Sequence, residues 1–135
     1  FHQPLYDSNL DTLAKYGAKW DVVGMSLYQY WALDSGLETD EEMVITHCID
    51  NINHVWEKYH TPVMIVETGF EVDEEHPEVM EKGRDQLRRI IRESRATGHC
   101  LGIFYWEHEC RPSRYRLGAF TSDGRPTVIM DGFRE

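Results

Sequence analysis

The sequence predicts an α/β fold with a parallel sheet. Three short segments, residues 21–27, 63–67 and 101–106, have the nearly continuous apolar character that is typical of buried parallel strands. Each of them follows a longer segment in which apolar residues recur at helical spacing. Because helices and strands alternate along the chain, we expect parallel strands that are covered by other elements on both faces.

The three helical segments have clear sequence limits. They are LDTLAKYGAKW (residues 10–20), EEMVITHCIDNINHVWEKYHT (residues 41–61) and PEVMEKGRDQLRRIIRESRATGH (residues 77–99). The last of these has Pro77 near its start and Gly98 after its end, as helices prefer. After the third strand, the pair Asp123 and Gly124 lies between two β-prone pieces and predicts a hairpin or tight turn.

Length, charge and cysteine content limit the classes of function. A chain of 135 residues can form one modest core. The net charge of −10, from 24 acidic and 14 basic residues, argues against a nucleic-acid partner, because phosphate binding requires a basic surface. No apolar run has the length of a membrane span, and no segment has the pattern of a secretory signal. Three cysteines without a CxxC spacing predict neither a disulfide framework nor a zinc site.

Aromatic and acidic residues follow all three predicted strands. In parallel α/β folds, functional residues lie at the carboxyl ends of strands. The residues at these ends are Tyr28, Tyr30 and Trp31 after the first strand, Glu67 at the second, and Tyr105, Trp106, Glu107 and Glu109 at the third. Aromatic rings stack on pyranose faces, and carboxylates supply the acid, base and nucleophile of glycoside cleavage. The pattern therefore favours a sugar site.

Each of these residues also has a structural interpretation. The aromatic side chains fit a core edge or an interface, Glu67 fits a cap of the following turn, and the glutamates after the third strand fit solvated loop charges. The histidines of the second helical segment lack a spacing that is typical of metal ligands. The functional interpretation depends on the shared location of the candidates at one end of three successive strands.

Three motifs carry a resemblance to a known family. The segments KWDVVGMSLYQYW, VMIVETGF and GIFYWEHE, in that order, resemble the last strands of the family 53 glycoside hydrolases. LGAFTSDGRPTVIMDGF resembles the segment after the eighth strand of these enzymes. They are retaining endo-β-1,4-galactanases of clan A that cleave galactan and arabinogalactan side chains of pectin. The resemblance implies that residues 1–135 are a single partial domain, the C-terminal part of a (β/α)8 TIM barrel, comprising about strands 6 to 8 with flanking helices.

The resemblance also implies roles for individual residues. Glu67 occupies the position of the catalytic nucleophile at the end of barrel strand seven, and Tyr28 that of the tyrosine that orients it. Trp106 corresponds to the tryptophan that floors the subsite of the attacked sugar. Trp31 and Glu107 correspond to positions that line the cleft, and we include Tyr30, at the same strand end, among the substrate-binding residues.

The chain departs from the family pattern at two places. Gln29 stands where the family usually has a proline. The segment after Glu67, EVDEEHPEV, lacks the ligand loop of the calcium site that bacterial relatives often carry. The Asp73, Glu74 and His76 that remain there make a weak ligand set, so we expect neither a metal nor a cofactor.

The second catalytic carboxylate is missing from this sequence. Retaining glycosidases need two carboxylates about 5 Å apart, and in this family the acid/base glutamate follows an asparagine. Here the three asparagines are followed by Leu, Ile and His, and a full barrel needs roughly 250 residues. We therefore expect the chain to be inactive alone. Glu107 would need an apolar pocket to act as the acid, and YWEHEC does not promise one.

Two other functions remain open from the sequence. One is a different clan A endo-glycosidase, such as a mannanase or cellulase, and the other is a non-catalytic glycan-binding remnant. The expected partner in the main interpretation is β-1,4-galactan or a related polysaccharide, which implies a secreted, periplasmic or cell-surface location. Three parallel strands leave two open edges, so we also expect self-association through them.

Overall fold

A computed structural model describes residues 2–134. The elements, in chain order, are α1 (Gln3–Lys15), β1 (Val23–Leu27), α2 (Gln29–Asp34), α3 (Glu41–Tyr59), β2 (Val63–Thr68), α4 (Pro77–Ala96), β3 (Cys100–Ile103) and a 3₁₀ helix (Val128–Phe133). The three strands form one sheet in the order β1-β2-β3, and both pairings are parallel. The predicted alternation of helices and parallel strands is confirmed.

Local sequence explains where the two long helices begin and end. The carboxylate of Asp40 accepts a hydrogen bond from the backbone N–H of Glu42 at 2.9 Å and so caps α3. This helix ends at His60, which is in the left-handed conformation with φ 51°. Helix α4 begins with Pro77 and is followed by Gly98 with φ 71°. These are the limits that the sequence predicts for α4.

Other boundaries differ from the sequence prediction. Helix α1 begins seven residues before the predicted start at residue 10 and ends at Lys15, so the segment up to residue 20 is not helical. Helix α2, which follows β1 after a single residue, was not predicted, because six residues are too few to show a helical period. Strand β3 ends at Ile103 rather than at residue 106, although the backbone N–H of Phe104 still donates to the Ile65 carbonyl at 2.8 Å.

The predicted turn at Asp123 and Gly124 is present. Gly124 has φ 83°, and the backbone N–H of Thr121 donates to the carbonyl of Arg125 at 2.8 Å. An antiparallel bridge joins Phe120 to Pro126 across this turn. The β-prone segment that follows is the 3₁₀ helix rather than a strand.

The core lies on one face of the sheet. Alternate residues of β1 and β2 are buried against the helices, and they are Val23, Met25, Leu27, Val63 and Ile65. The intervening residues Gly24, Ser26 and Val66 are exposed. The expectation that both faces are covered is therefore wrong for this chain. Three strands cannot close a barrel, so the face that would line its interior stays open.

Because the core lies on one face of the sheet, truncation of two neighbouring residues of β2 should lower the free energy of unfolding by unequal amounts. Ile65 is fully buried, whereas Val66 is 37% exposed on the opposite face. Ile65→Ala should lower the free energy of unfolding by about 2–5 kcal/mol, because it leaves a cavity. Val66→Ala should cost less than about 1 kcal/mol. Chemical denaturation of both variants measures this, and equal costs would contradict the described packing.

Candidate active site

A β-bulge in β2 decides the direction of the Glu67 side chain. Regular alternation would place residue 67 on the same face as Ile65, which is the buried face. Met25 pairs with Ile65, but the next residue, Ser26, pairs with Glu67, so Val66 is an extra residue in β2. The bulge therefore exchanges the faces of all residues that follow it.

The burial of the residues beyond the bulge agrees with this exchange. Thr68 is fully buried and pairs with the buried Leu27. Glu67 is partly exposed and pairs with Ser26, whose side chain is exposed. The carboxylate thus lies on the open face of the sheet, at the carboxyl end of the central strand. Without the extra residue it would point into the apolar core, where an unpaired charge is costly.

Tyr28 is the hydrogen-bond partner of Glu67. It follows β1 as the residue that precedes α2, and its hydroxyl donates to Oε2 of Glu67 at 3.4 Å. Burial, followed by the hydrogen bond with Tyr115, raises the pKa of Tyr28 well above its ordinary value. The phenol therefore remains a donor at neutral pH. The sequence also allowed Glu67 to cap the turn that follows β2. In that turn, the backbone N–H of Phe70 donates to the Tyr105 hydroxyl at 3.0 Å.

The loops after β2 and β3 are fastened to each other beside this pair. The Tyr105 hydroxyl accepts from Phe70 and donates to the carbonyl of Gly118. The backbone N–H of Val72 donates to the carbonyl of Arg116 at 2.9 Å. Because these bonds join two successive strand ends, they fix the height of both loops above the sheet.

Gly69 allows the two loops to approach closely. A Cβ atom at this position would lie 2.4 Å from the backbone carbonyl oxygen of Leu117 and 3.3 Å from a ring carbon of Tyr28. Any side chain here would push one of these groups away. The glycine two residues after Glu67 is therefore a packing requirement of the site.

Tyr30 and Trp31 form a supported aromatic pair at the end of β1. Their rings meet edge to face, with centroids 4.8 Å apart and planes at 88°. The Arg116 guanidinium lies 4.8 Å from the centre of the Tyr30 ring, donates to its hydroxyl at 2.8 Å, and pairs with Glu71. Tyr30 is thus held by Arg116, and Trp31, which is 44% exposed, carries the accessible ring.

Trp106 and Glu107 lie at the end of the third strand. The backbone N–H of Trp106 donates to the carbonyl of Thr68 at 2.9 Å, and its side chain is 45% exposed. Glu107 is exposed, has φ 45°, and accepts a hydrogen bond from the Cys110 thiol at 3.0 Å. This exposure to solvent differs from the apolar pocket that raises the pKa of a general acid.

Residues that the sequence singled out as weak metal ligands have other partners. Asp73 accepts from the backbone N–H groups of Glu75 and His76 and from the His76 ring. Glu74 accepts from the backbone and the hydroxyl of Ser122. Across residues 2–134, no group of three or more His, Cys, Asp or Glu side chains is placed to hold a metal ion.

The structure adds roles that sequence reasoning did not assign. Tyr105 was among the strand-end aromatic residues of the sequence, but its role in joining the two loops was not predicted. Arg116 lies in RPSRYR, which shows no period or motif, so nothing in the sequence indicates its contact with Tyr30.

Gln29, which follows Tyr28, is buried. It is 3% exposed, and neither the nitrogen nor the oxygen of its side-chain amide has a hydrogen-bond partner in the described part of the chain. This is the position where the family usually has proline.

Among the described helices, none combines the length and the apolar composition that a membrane span requires.

Comparisons with known proteins agree on fold and family. The family model described as "Glycosyl hydrolase family 53" matches residues 2–127. A solved structure, the "Ignisphaera aggregans GH53 catalytic domain", is similar with a TM-score of 0.71 and 19% sequence identity. No curated protein sequence matches this chain.

The structural likeness covers 98% of this chain but only 43% of the Ignisphaera chain. The predicted fold, part of a (β/α)8 TIM barrel, is thereby confirmed, and the chain spans less than half of the compared domain. The family model extends over almost all of the 135 residues. The chain therefore belongs to glycosyl hydrolase family 53.

Proposed function

We propose that this chain is the carboxyl-terminal part of a retaining endo-β-1,4-galactanase that acts on galactan or arabinogalactan side chains of pectin, with Glu67 as its nucleophile. The observation that carries the proposal is the bulge at Val66, which turns Glu67 onto the open face beside the Tyr28 hydroxyl. Family membership supports glycoside hydrolysis as the class of reaction.

The proposed mechanism begins with attack of the Glu67 carboxylate on the anomeric carbon, opposite the leaving group. The leaving group departs as a covalent glycosyl-enzyme ester forms. Water then attacks the same carbon and displaces the Glu67 carboxylate, so two inversions give net retention. Tyr28 donates to the oxygen Oε2 and so fixes the direction of the carboxylate before attack. The acid/base carboxylate, which protonates the leaving oxygen, is supplied by a part of the protein outside this chain.

The substrate-binding proposal assigns the two exposed indoles to sugar stacking. Trp106 follows β3, and its backbone is hydrogen-bonded to Thr68, the residue after the proposed nucleophile. The ring of Trp31 packs edge to face against Tyr30. The exposed Glu107 carboxylate can accept hydrogen bonds from sugar hydroxyls. A polymeric substrate also implies that the enzyme acts outside the cytoplasm, so we propose a secreted, periplasmic or cell-surface location.

Hydrolysis assays test the nucleophile. The full-length protein should cut β-1,4-galactan, Glu67→Ala should reduce the rate at least about 10³-fold, and this chain alone should be inactive. Glu57→Ala, a change of an exposed glutamate on α3, is the matched control and should keep full activity.

The outcomes of this assay are distinct. Retained activity in Glu67→Ala contradicts the nucleophile assignment, and hydrolysis by this chain alone shows that a second catalytic carboxylate lies within it. A parallel assay on mannan and cellulose decides between galactan and the substrates of other clan A enzymes.

Binding measurements test the aromatic platform. In a Glu67→Gln background, Trp106→Ala should weaken binding of β-1,4-galacto-oligosaccharides by about tenfold or more, because it removes the stacking surface. Trp56→Ala is the matched control, since Trp56 stacks on His99, which precedes β3. Calorimetric titration of the full-length protein measures both. Equal affinities of the two variants would rule out Trp106 as a sugar platform.

The open sheet edges predict that this chain associates when isolated. The β3 side exposes Leu101 and Phe104, which are 57% and 60% accessible. We expect dimers or larger species in sedimentation velocity experiments, and the double substitution Leu101→Lys with Phe104→Lys should shift them toward monomer. A stable, monodisperse monomer of the unchanged chain would contradict this expectation.

A further inference from the structure

We propose that Arg116, paired with Glu71, is a positioning residue for substrate binding, and that it acts by holding the Tyr30 ring against which the Trp31 indole packs. This inference rests on the proposed function, in which Trp31 stacks on a sugar. Arg116 itself need not touch the substrate. Its side chain starts from the loop after β3 and reaches the end of β1, where the two aromatic residues lie.

The Arg116 guanidinium is occupied by two partners. One terminal nitrogen, Nη1, donates to the Tyr30 hydroxyl at 2.8 Å, and the other, Nη2, donates to Oε1 of Glu71. The central carbon of the guanidinium also lies 4.8 Å from the centre of the Tyr30 ring, within the range of a cation–π contact. Because both terminal nitrogens are in use, Arg116 is arranged to hold Tyr30 rather than to bind a sugar.

Two backbone segments bring Arg116 and Glu71 to face each other. The backbone N–H of Val72, the residue after Glu71, donates to the carbonyl of Arg116 at 2.9 Å. Val72 and Leu117, the residue after Arg116, are both buried. The ion pair between the two side chains therefore stands on a backbone contact that the core fixes, so its position relative to the strand ends is defined.

Packing alone does not fix the Tyr30 ring. Tyr30 lines a cavity of about 180 Å³, whose other lining residues include Gln29, Phe70, Glu71 and Lys82. A ring beside such a cavity has room to turn, since empty space offers no contacts that hold it in place. The hydrogen bond and the guanidinium contact from Arg116 supply the restraint that the cavity side lacks.

The orientation of Trp31 depends in turn on Tyr30. Both residues lie in α2, where successive side chains point about 100° apart and do not normally face each other. Their rings nevertheless meet edge to face, with centroids 4.8 Å apart. The carbonyl of Trp31 accepts from the backbone N–H of Ser35 at 3.0 Å, so the backbone is held, but the indole is 44% exposed. A shift of the Tyr30 ring would therefore change the angle of the indole and leave α2 intact.

The angle of the indole matters because a sugar stacks only on the face of the ring. An indole that is free to turn loses conformational entropy when a sugar binds, and a ring that is already held does not. This preorganisation favours the bound substrate and the transition state equally. Loss of the Arg116 contacts should therefore raise KM and leave kcat unchanged.

Kinetics and binding of the full-length protein test the inference. Arg116→Met keeps most of the side-chain stem and should raise KM for β-1,4-galactan about 3- to 10-fold with kcat unchanged. In a Glu67→Gln background, the same change should weaken binding of β-1,4-galactotetraose by a similar factor. Because Arg116 acts through Trp31, Arg116→Met should cause no further loss in a Trp31→Ala variant.

Arg125→Met is the matched control. Arg125 also pairs with a carboxylate, that of Asp123 at 3.0 Å, and its side chain is 82% exposed. This substitution should change neither KM nor affinity. Exposed ion pairs add little to stability, so the thermal unfolding midpoints of Arg116→Met and Arg125→Met should both stay close to that of the unchanged enzyme.

Four results would overturn the inference. They are unchanged KM and affinity in Arg116→Met, additive losses when this change is combined with Trp31→Ala, a loss confined to kcat, and an affinity loss that follows a lowered unfolding midpoint. Additive losses would mean that Arg116 contacts the sugar directly, and a lowered midpoint would mean that its role is structural.

A fluorine NMR experiment separates failure of the inference from failure of the proposed function. The full-length protein would carry 5-fluorotryptophan, and the Trp31 resonance would be assigned by its absence in Trp31→Phe. This resonance should shift in Arg116→Met and stay in place in Arg125→Met, whether or not the protein cuts galactan. An unmoved resonance in Arg116→Met would overturn the inference. A shift without binding of galactotetraose would support the positioning of Trp31 by Arg116 and reject the proposed substrate.

Discussion

The parallel pairing of β1 with β2, interrupted by one extra residue, is the constraint on which the site depends. Before the bulge, paired residues such as Met25 and Ile65 face the helices, and beyond it Glu67 faces the open side with Ser26. A slip of one residue exchanges the two faces of a strand. Here that slip keeps the apolar core continuous while it presents a carboxylate at the end of an apolar strand.

The loops above the sheet then complete a rigid setting for this carboxylate. Tyr105 joins the backbone of the loop after β2 to that of the loop after β3, and Gly69 lets them touch. Tyr28, held at the end of β1, reaches across to the central strand. One face of the sheet is open because these three strands make up only part of a barrel.

Much of this architecture could be predicted from the sequence. Apolar strand character, helix limits such as Pro77 and Gly98, and the strand-end position of Glu67 are local signals, and they gave the parallel fold and the candidate residues. The bulge could not be predicted, because register depends on the partner strand. The contacts of Arg116 with Tyr30 and Glu71 could not be predicted either, since they join residues far apart in the chain. The prediction that both faces of the sheet are covered was wrong, because the apolar character of a strand does not show how many other strands are present to cover it.

The most direct test of the account is to trap the covalent intermediate. The full-length protein would be incubated with a slow 2-fluoro-substituted β-1,4-galactobiosyl substrate, digested, and analysed by mass spectrometry. The account predicts one added glycosyl group on the peptide that contains VMIVETGF, located at Glu67. A glycosyl group on any other residue, or turnover with inversion and no covalent species, would contradict the assignment of Glu67 as the nucleophile.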